Sequence, residues 1–512
     1  MAHVKVYPGS VVADVNMNIF GHFSEIAFNN IPGGFYDPSS KFADEDGFRK
    51  DVMEAMRQVK TPLIRYPGGN YVSNYHWERG IGPKEKRPRV FDYAWAAEDD
   101  NQFGTVEFIK FCRKVGAEPL ICVNMGSGTV DEAMNWVEFC NGTLNTQYAN
   151  LRRSLGYPEP FHVKYWGLGN EMYGIWQLNH LDARGYAEKA FQFAQGMKSV
   201  DPTIQLTASG IETDQDWNLT VVKKLASTLN TQLKPLPYMD TLSAHHYSCH
   251  WENAYTGSGY QERMTISEFI HERTRLIRSA IEVATNDVNS PIKIAWDEWN
   301  LFGWVFDGVN EDSSFTLENA IVTASILNSF LRDIQYIGLA NYSTFVNVNG
   351  AVSTHENGLV KRSQFYVFEL YANQIGSQVV RSETNCDTFE AVLPHDFRAL
   401  QNQRQVPQSD YKRVIPYLDC VSTYHQEEGS LYIHLINKNA NEDVDCTVSI
   451  MEHGMKGEAV MYTIYNDDLN ANNTMVKTDV FTKEIPLGSV ESTFTVPLKK
   501  HSVNLIKITS CK

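Results

Sequence analysis

The chain has 512 residues, 43% of them hydrophobic and 12% aromatic, which is enough apolar material for a large buried core and a second, smaller one. Lys and Arg total 45 against 61 Asp and Glu, a formal charge of -16, so nucleic acid meets net repulsion and a neutral or cationic partner is favoured. No run approaches the roughly 20 apolar residues of a membrane span, and the start Met1-Ala2-His3-Val4-Lys5-Val6-Tyr7 lacks a basic and apolar leader, so no membrane association and a cytoplasmic location are expected.

The first strand-like segment, residues 4–12, has no helix after it. From about 16 to 375, short β-branched runs alternate with longer amphipathic stretches. Strands are predicted at 18–23, 62–66, 119–124, 163–168, 204–208, 239–244, 292–296 and 337–345, with helical patterns between them such as 47–59, 105–115, 182–200, 267–284 and 316–332. Eight βα units predict an α/β fold closed into a (β/α)8 TIM barrel rather than an open sheet.

Beyond about 376 the helical period vanishes. Runs such as Thr388-Phe-Glu-Ala-Val-Leu, Ser430-Leu-Tyr-Ile-His-Leu-Ile and Ser492-Thr-Phe-Thr-Val-Pro-Leu alternate at period two between turn-rich pieces, the pattern of an antiparallel, jelly-roll-like β-sandwich. Residues 1–15 are expected to join it, giving a barrel over 16–375 and a sandwich over 376–512 plus the N-terminal strand. The eight cysteines are scattered, without the close spacing of a zinc site, and are expected to be mostly reduced and buried.

In a (β/α)8 barrel the active site forms where the strands end. Glu171 closes Tyr165-Trp-Gly-Leu-Gly-Asn-Glu after the fourth strand, and Glu298 closes Ile292-Lys-Ile-Ala-Trp-Asp-Glu after the seventh. Taken singly, each reads most simply as a rim ion pair. Strands four and seven face one another across the barrel mouth, however, so the two carboxylates can converge on one sugar. Glycoside cleavage needs such a pair, one to protonate the departing oxygen and one to act at the anomeric carbon. Trp166, Tyr173, Trp176, Trp296, Trp299 and Trp304 offer apolar faces nearby, with Trp176 and Trp296 as the supporting candidates; ordinary barrel core accounts for about half of such residues.

Around these residues the chain resembles glycoside hydrolase family 51, the intracellular α-L-arabinofuranosidases. The resemblance rests on Gly21-His-Phe-Ser-Glu25, Arg65-Tyr-Pro-Gly-Gly-Asn70 with Trp77 and Gly82-Pro-Lys-Glu-Lys-Arg-Pro88, Asn124-Met-Gly126, Gly167-Leu-Gly-Asn-Glu-Met172 and Trp296-Asp-Glu-Trp-Asn300. It implies that Glu171 is the general acid/base and Glu298 the nucleophile, with net retention and carboxyls roughly 5 to 5.5 Å apart. Glu171 must then be neutral at working pH, which burial and the Glu298 charge favour.

The resemblance also implies sugar contacts for Glu25, Asn70, Asn170, His245 and Tyr247. Read without it, Glu25 is a rim charge, and Asn70 and Asn170 are turn residues. Arg65 is expected to hold Glu298 ionised, a structural ion pair being an equal reading. Where many relatives carry Trp-Arg-Gln after the eighth strand, this chain has Leu359-Val-Lys-Arg-Ser-Gln, which places Arg362 at the glycone with Gln364 as a substitute. His245, His246, Cys249 and His250 lack clean metal-ligand spacing, and neither metal nor other cofactor is expected.

The expected activity is removal of terminal α-L-arabinofuranosyl units from arabinan- or arabinoxylan-derived oligosaccharides by a homo-oligomer, a hexamer by the resemblance. The alternatives are a β-D-galactofuranosidase, β-xylosidase or endo-glucanase, a sugar-binding protein without catalysis, or a carbohydrate-binding role for the sandwich.

Overall fold

The computed structural model describes residues 2–226, 237–249, 259–302, 315–393, 412–451 and 455–510. Gly21–Phe23, Leu63–Tyr66, Glu118–Val123, Tyr165–Leu168, Gln205–Ala208, Thr241–Cys249, Lys293–Phe302 and Ile337–Tyr342 close a parallel barrel, each paired with its neighbour in sequence. They are the first to eighth barrel strands below. Their alternation sorts side chains by face: Leu63, Leu120, Cys122, Ala295 and Leu339 fill the barrel, whereas Ile64, Ile121, Ile294 and Trp296 point outward against the helices.

The helical layer includes Lys50–Gln58, Thr105–Val115, Ala183–Val200, Ile266–Thr285 and Leu317–Arg332, close to the sequence patterns. Side-chain caps fix several starts: Thr129 Oγ1 accepts from Glu132 N at 3.1 Å and Asp182 Oδ1 from Gly185 N at 2.7 Å. The helix Ser363–Asn373 is buried on almost every side, from Phe365 and Val367 to Tyr371, and so carries no one-sided stripe for the sequence to show.

The sixth and seventh strands do not stop before the site segments, as the sequence pattern has it. They run nine and ten residues and stay paired through Tyr247 and Asn300, so the catalytic candidate lies within a strand rather than in the loop after it.

The second layer of β-structure is hydrogen-bonded as a nine-stranded sheet, with Ala2–Asp14 between Gln378–Asn385 and Val444–Ile450. Ala2, Val4 and Val6 are buried in its core beside Leu431, Ile433 and Ile506. One correction to a purely antiparallel sandwich follows. Ala2–Asp14 and Val444–Ile450 run parallel, because the N-terminal strand enters from outside the hairpin series, so the sheet is mixed. A buried charge cluster pins it to the barrel: Asp419 pairs with Arg332 of the helix Leu317–Arg332, Lys438 Nζ lies 3.3 Å from Asp419, and Lys438 donates to Ser267 Oγ at 2.8 Å.

Among the described residues Cys112, Cys122, Cys140, Cys420 and Cys446 are buried free thiols and Cys386 is partly buried. No helix among them is long and apolar enough to cross a membrane.

Candidate active site

The seventh strand sets the site by breaking its own alternation. Ala295 faces Ser243 of the sixth strand, but the next partner of His245 is Glu298, so three steps on one strand match two on the other. This one-residue bulge re-aims the strand. Trp296 stays outward, Asp297 and Glu298 both turn into the barrel, and Trp299 returns to the outer layer.

Glu298 is held from two sides. Arg65 of the second strand donates from Nη1 to Glu298 Oε1 at 2.6 Å and from Nη2 to Asn170 Oδ1 at 2.7 Å. The hydroxyl of Tyr247 lies 2.8 Å from Glu298 Oε2 and 2.6 Å from Ser343 Oγ; an ionised carboxylate only accepts, so the phenol donates to Glu298. Asn170, with its Oδ1 taken by Arg65, has a buried Nδ2 without an acceptor among the described residues, a donor open to a ligand oxygen.

Glu171 stands where the chain turns sharply out of the fourth strand, at φ +40° just after Gly169 at +74°. For a glutamate this backbone costs about 1 kcal/mol or more, strain of the kind that collects at functional sites. Trp176 Nε1 donates to Glu171 Oε2 at 2.7 Å, Tyr173 Oη is 3.4 Å from Oε1, and His245 Nδ1 is 2.8 Å from Oε1. The same Nδ1 is 3.6 Å from Glu298 Oε2. Single donor atoms of Glu171, His245 and Glu298 all lie within 4.8 Å of one another. Burial alone would make the imidazole less basic, but Glu298, Asp297 and the bond to Glu171 outweigh it and push His245 up to about 10. A divalent ion at these atoms would first have to displace that proton and would face Arg65 as well.

Asp297 was not singled out from the sequence. It lies 3.2 Å from both Arg65 Nε and His245 Nε2 and accepts from Ser243 Oγ. Burial works against its charge, yet Arg65 and His245 hold its carboxyl below the usual range. Two consecutive acids on a strand imply that one faces away, and only the bulge removes that inference.

The first and second strands supply the remaining wall. Glu25 Oε1 accepts from Tyr71 N at 3.0 Å and Trp95 Nε1 at 3.1 Å. Burial, with a contribution from Glu298, pushes the Glu25 carboxyl up to about 7. Gly68 is required here: at φ +151° its Cβ would stand 2.4 Å from Glu25 Cγ. Asn70 Oδ1 accepts from Gln177 Nε2 at 2.6 Å, which ties the second strand's bend to the loop carrying Trp176. Trp95 sits in the turn between Val90–Asp92 and Ala97–Asp99, far in sequence from any motif, and packs edge-on against Phe28 at 4.5 Å.

Several sequence candidates lie elsewhere. Trp296 bonds Thr274 Oγ1 at 3.1 Å and packs on Phe330, and Trp166 and Trp299 are likewise outer-layer core, because each falls on the outward phase of its strand. His246 is buried and packs tilted against Phe269, ring centres 4.3 Å apart. Arg362 donates to the carbonyls of Val348 (3.2 Å) and Gly350 (2.9 Å) and lies 3.6 Å over the Phe315 ring. Gln364 is buried beside Ser363. Trp304, His250 and the side chain of Cys249 lie outside the described residues.

The chain is similar over nearly its whole length to a group of known enzymes. The signature described as the alpha-L-arabinofuranosidase 1 domain matches residues 55–263, and that of the alpha-L-arabinofuranosidase C-terminal domain matches 297–502. A probable alpha-L-arabinofuranosidase C from Aspergillus terreus is 34% identical over 98% of this chain and 97% of its own. An intracellular exo-alpha-(1->5)-L-arabinofuranosidase from Acetivibrio thermocellus is 30% identical over 97% of each. The crystal structure of a Thermotoga maritima alpha-L-arabinofuranosidase in complex with arabinose superposes with a TM-score of 0.88 at 35% identity, covering 99% of this chain and 100% of that one.

Proposed function

The chain belongs to glycoside hydrolase family 51, the α-L-arabinofuranosidases, and we propose that it is a retaining exo-enzyme in which Glu298 is the nucleophile and Glu171 the acid/base. The observation that carries this reading is the spacing of the two carboxylates, one oxygen of each within 4.8 Å of the other. A general-base mechanism would need room for a water between them, roughly 6.5 Å or more.

In the first step Glu298 attacks the anomeric carbon while Glu171 gives its proton to the departing oxygen. Arg65 and Tyr247 hold Glu298 aimed at that carbon. In the second step the Glu298 charge is gone into the ester, Glu171 takes a proton from water, and that water releases the sugar. Asn170 Nδ2 is placed to donate to the 2-oxygen, where a bond strengthens as positive charge develops on the ring. Glu25, held by Tyr71 N, and Asn70, held by Gln177, are the further sugar contacts of this reading, and Trp176 orients the acid. The substrates proposed are short arabinan or arabinoxylan fragments bearing terminal α-L-arabinofuranosyl units, hydrolysed by a homo-oligomer of this chain in the cytoplasm.

Proton NMR during hydrolysis of an aryl α-L-arabinofuranoside tests the stereochemistry: the α-anomer appears first if the reading holds, and the β-anomer appearing first overturns it. Glu298→Ala with added azide should give the inverted arabinofuranosyl azide. Release of anything but monosaccharide from an end-labelled arabino-oligosaccharide overturns the exo assignment.

A further inference from the structure

We propose that Asp297 is a positioning residue of the reaction: it holds His245 with both ring nitrogens protonated, so that one Nδ1–H follows the negative charge from Glu298 to Glu171 between the two half-reactions.

The geometry carries this. His245 is buried with a carboxylate at each end: Nδ1 lies 2.8 Å from Glu171 Oε1 in a hydrogen bond and 3.6 Å from Glu298 Oε2, and Nε2 faces Asp297 Oδ1 at an ion-pair distance of 3.2 Å. A neutral imidazole has one N–H; with that turned to Asp297, the bare Nδ1 would have to take the Glu171 proton, which the reaction needs at the departing oxygen. With Asp297 as a fixed anion behind it, the ring keeps both protons. Asp297 is in turn fixed by the hydrogen bond from Ser243 Oγ and by the charge of Arg65, neither of which gives up a proton to it.

The charge that Nδ1–H faces moves during catalysis. Before glycosylation Glu298 is the anion and Glu171 is neutral; in the ester intermediate Glu298 is neutral and Glu171 ionises. A donor lying between the two oxygens serves either state with a small tilt of the ring, and a net positive ring offsets the one negative charge that the pair holds throughout. The groups around it on every packed strand are Glu171 and Tyr173 beyond the fourth, Asp297 and Glu298 on the seventh, Tyr247 on its own strand, Arg65 on the second with Cys122 of the third beside it, and Glu25 of the first through Glu298. The high basicity of His245 agrees with the ring being charged over the working range.

This inference rests on the assignment of Glu171 and Glu298, and the two can fail separately. The test is Asp297→Asn, with kcat and KM measured on an aryl α-L-arabinofuranoside from pH 5 to pH 10. The alkaline limb of kcat should move down by about one pH unit or more, with kcat falling about tenfold and KM changing less than about threefold. A uniformly scaled profile with its alkaline limb in place overturns the proposal while leaving Glu298→Ala inactive. Should the variant not fold, imidazole 15N NMR of the wild-type enzyme decides: two protonated nitrogens on His245 at pH 8 support the proposal, and a neutral tautomer there overturns it.

Discussion

Arg65 of the second barrel strand and Glu298 of the seventh meet inside the barrel, Nη1 to Oε1 at 2.6 Å, with both side chains almost fully buried. The same guanidinium also reaches Asn170 and Asp297, so one residue aligns the proposed nucleophile, the proposed 2-oxygen donor and the acid behind His245. Because its planar fork directs two hydrogen bonds, to Glu298 and Asn170, while its charge also faces Asp297, a lysine cannot replace it.

Arg65→Lys should therefore cost both stability and rate. Breaking a buried ion pair of this kind costs about 3 to 5 kcal/mol, and a variant that retains the charge should lose somewhat less. The expected result is a lower melting temperature together with a kcat drop of about a hundredfold or more. A variant with the wild-type Tm and kcat would show that the contacts of Arg65 are dispensable.

Trp176 reaches Glu171 Oε2 through its indole N–H at 2.7 Å, so Trp176→Phe removes a hydrogen bond while keeping most of the ring. Kinetics on two aryl arabinofuranosides separate its role. The loss should be about tenfold with a poor leaving group, which needs the acid, and small with a dinitrophenolate, which does not. Equal losses on both would mean that Trp176 acts through binding alone.

Glu25 gives a pH-dependent stability with a defined sign. Its folded-state value of about 7 lies above the ordinary carboxylate value of 4.5, so the folded protein holds this proton more tightly than the unfolded chain. The contribution is complete below 4.5 and is lost as pH rises to about 7. Thermal melts across this range should show wild type losing several degrees relative to Glu25→Gln, and a difference that stays flat or rises with pH would refute it.

Asp419 has the opposite sign. Burial opposes its charge, but Arg332 and Lys438 hold its carboxyl well below the usual range. Asp419→Asn leaves Lys438, almost fully buried, without its counter-ion and should cost about 3 kcal/mol or more in unfolding free energy. Below the melting transition its kcat should match wild type, since the cluster lies where the sheet meets the helix Leu317–Arg332 and not at the barrel mouth. An unchanged denaturation midpoint would remove Asp419 from the stability of this contact.

The sequence alone determined the closed barrel, since eight alternations of strand and helix admit few other solutions, and it placed Glu171 and Glu298 at the ends of opposite strands. Motif residues also brought Arg65, Asn170, His245 and Tyr247 to the pair, although His245 and Tyr247 lie inside the sixth strand and Asn170 just beyond the fourth. The tertiary structure alone decided which neighbours face the barrel interior. Period-two counting puts Asp297 and Glu298 on opposite faces, and the bulge beside Ser243 and His245 turns both inward while leaving Trp296 in the outer core. Trp95, Gln177 and Ser343 enter through side-chain contacts between segments distant in the chain, and no spacing within one segment encodes those. Arg362 marks the same limit: nothing in its chain position points to the Val348 and Gly350 carbonyls that accept from it.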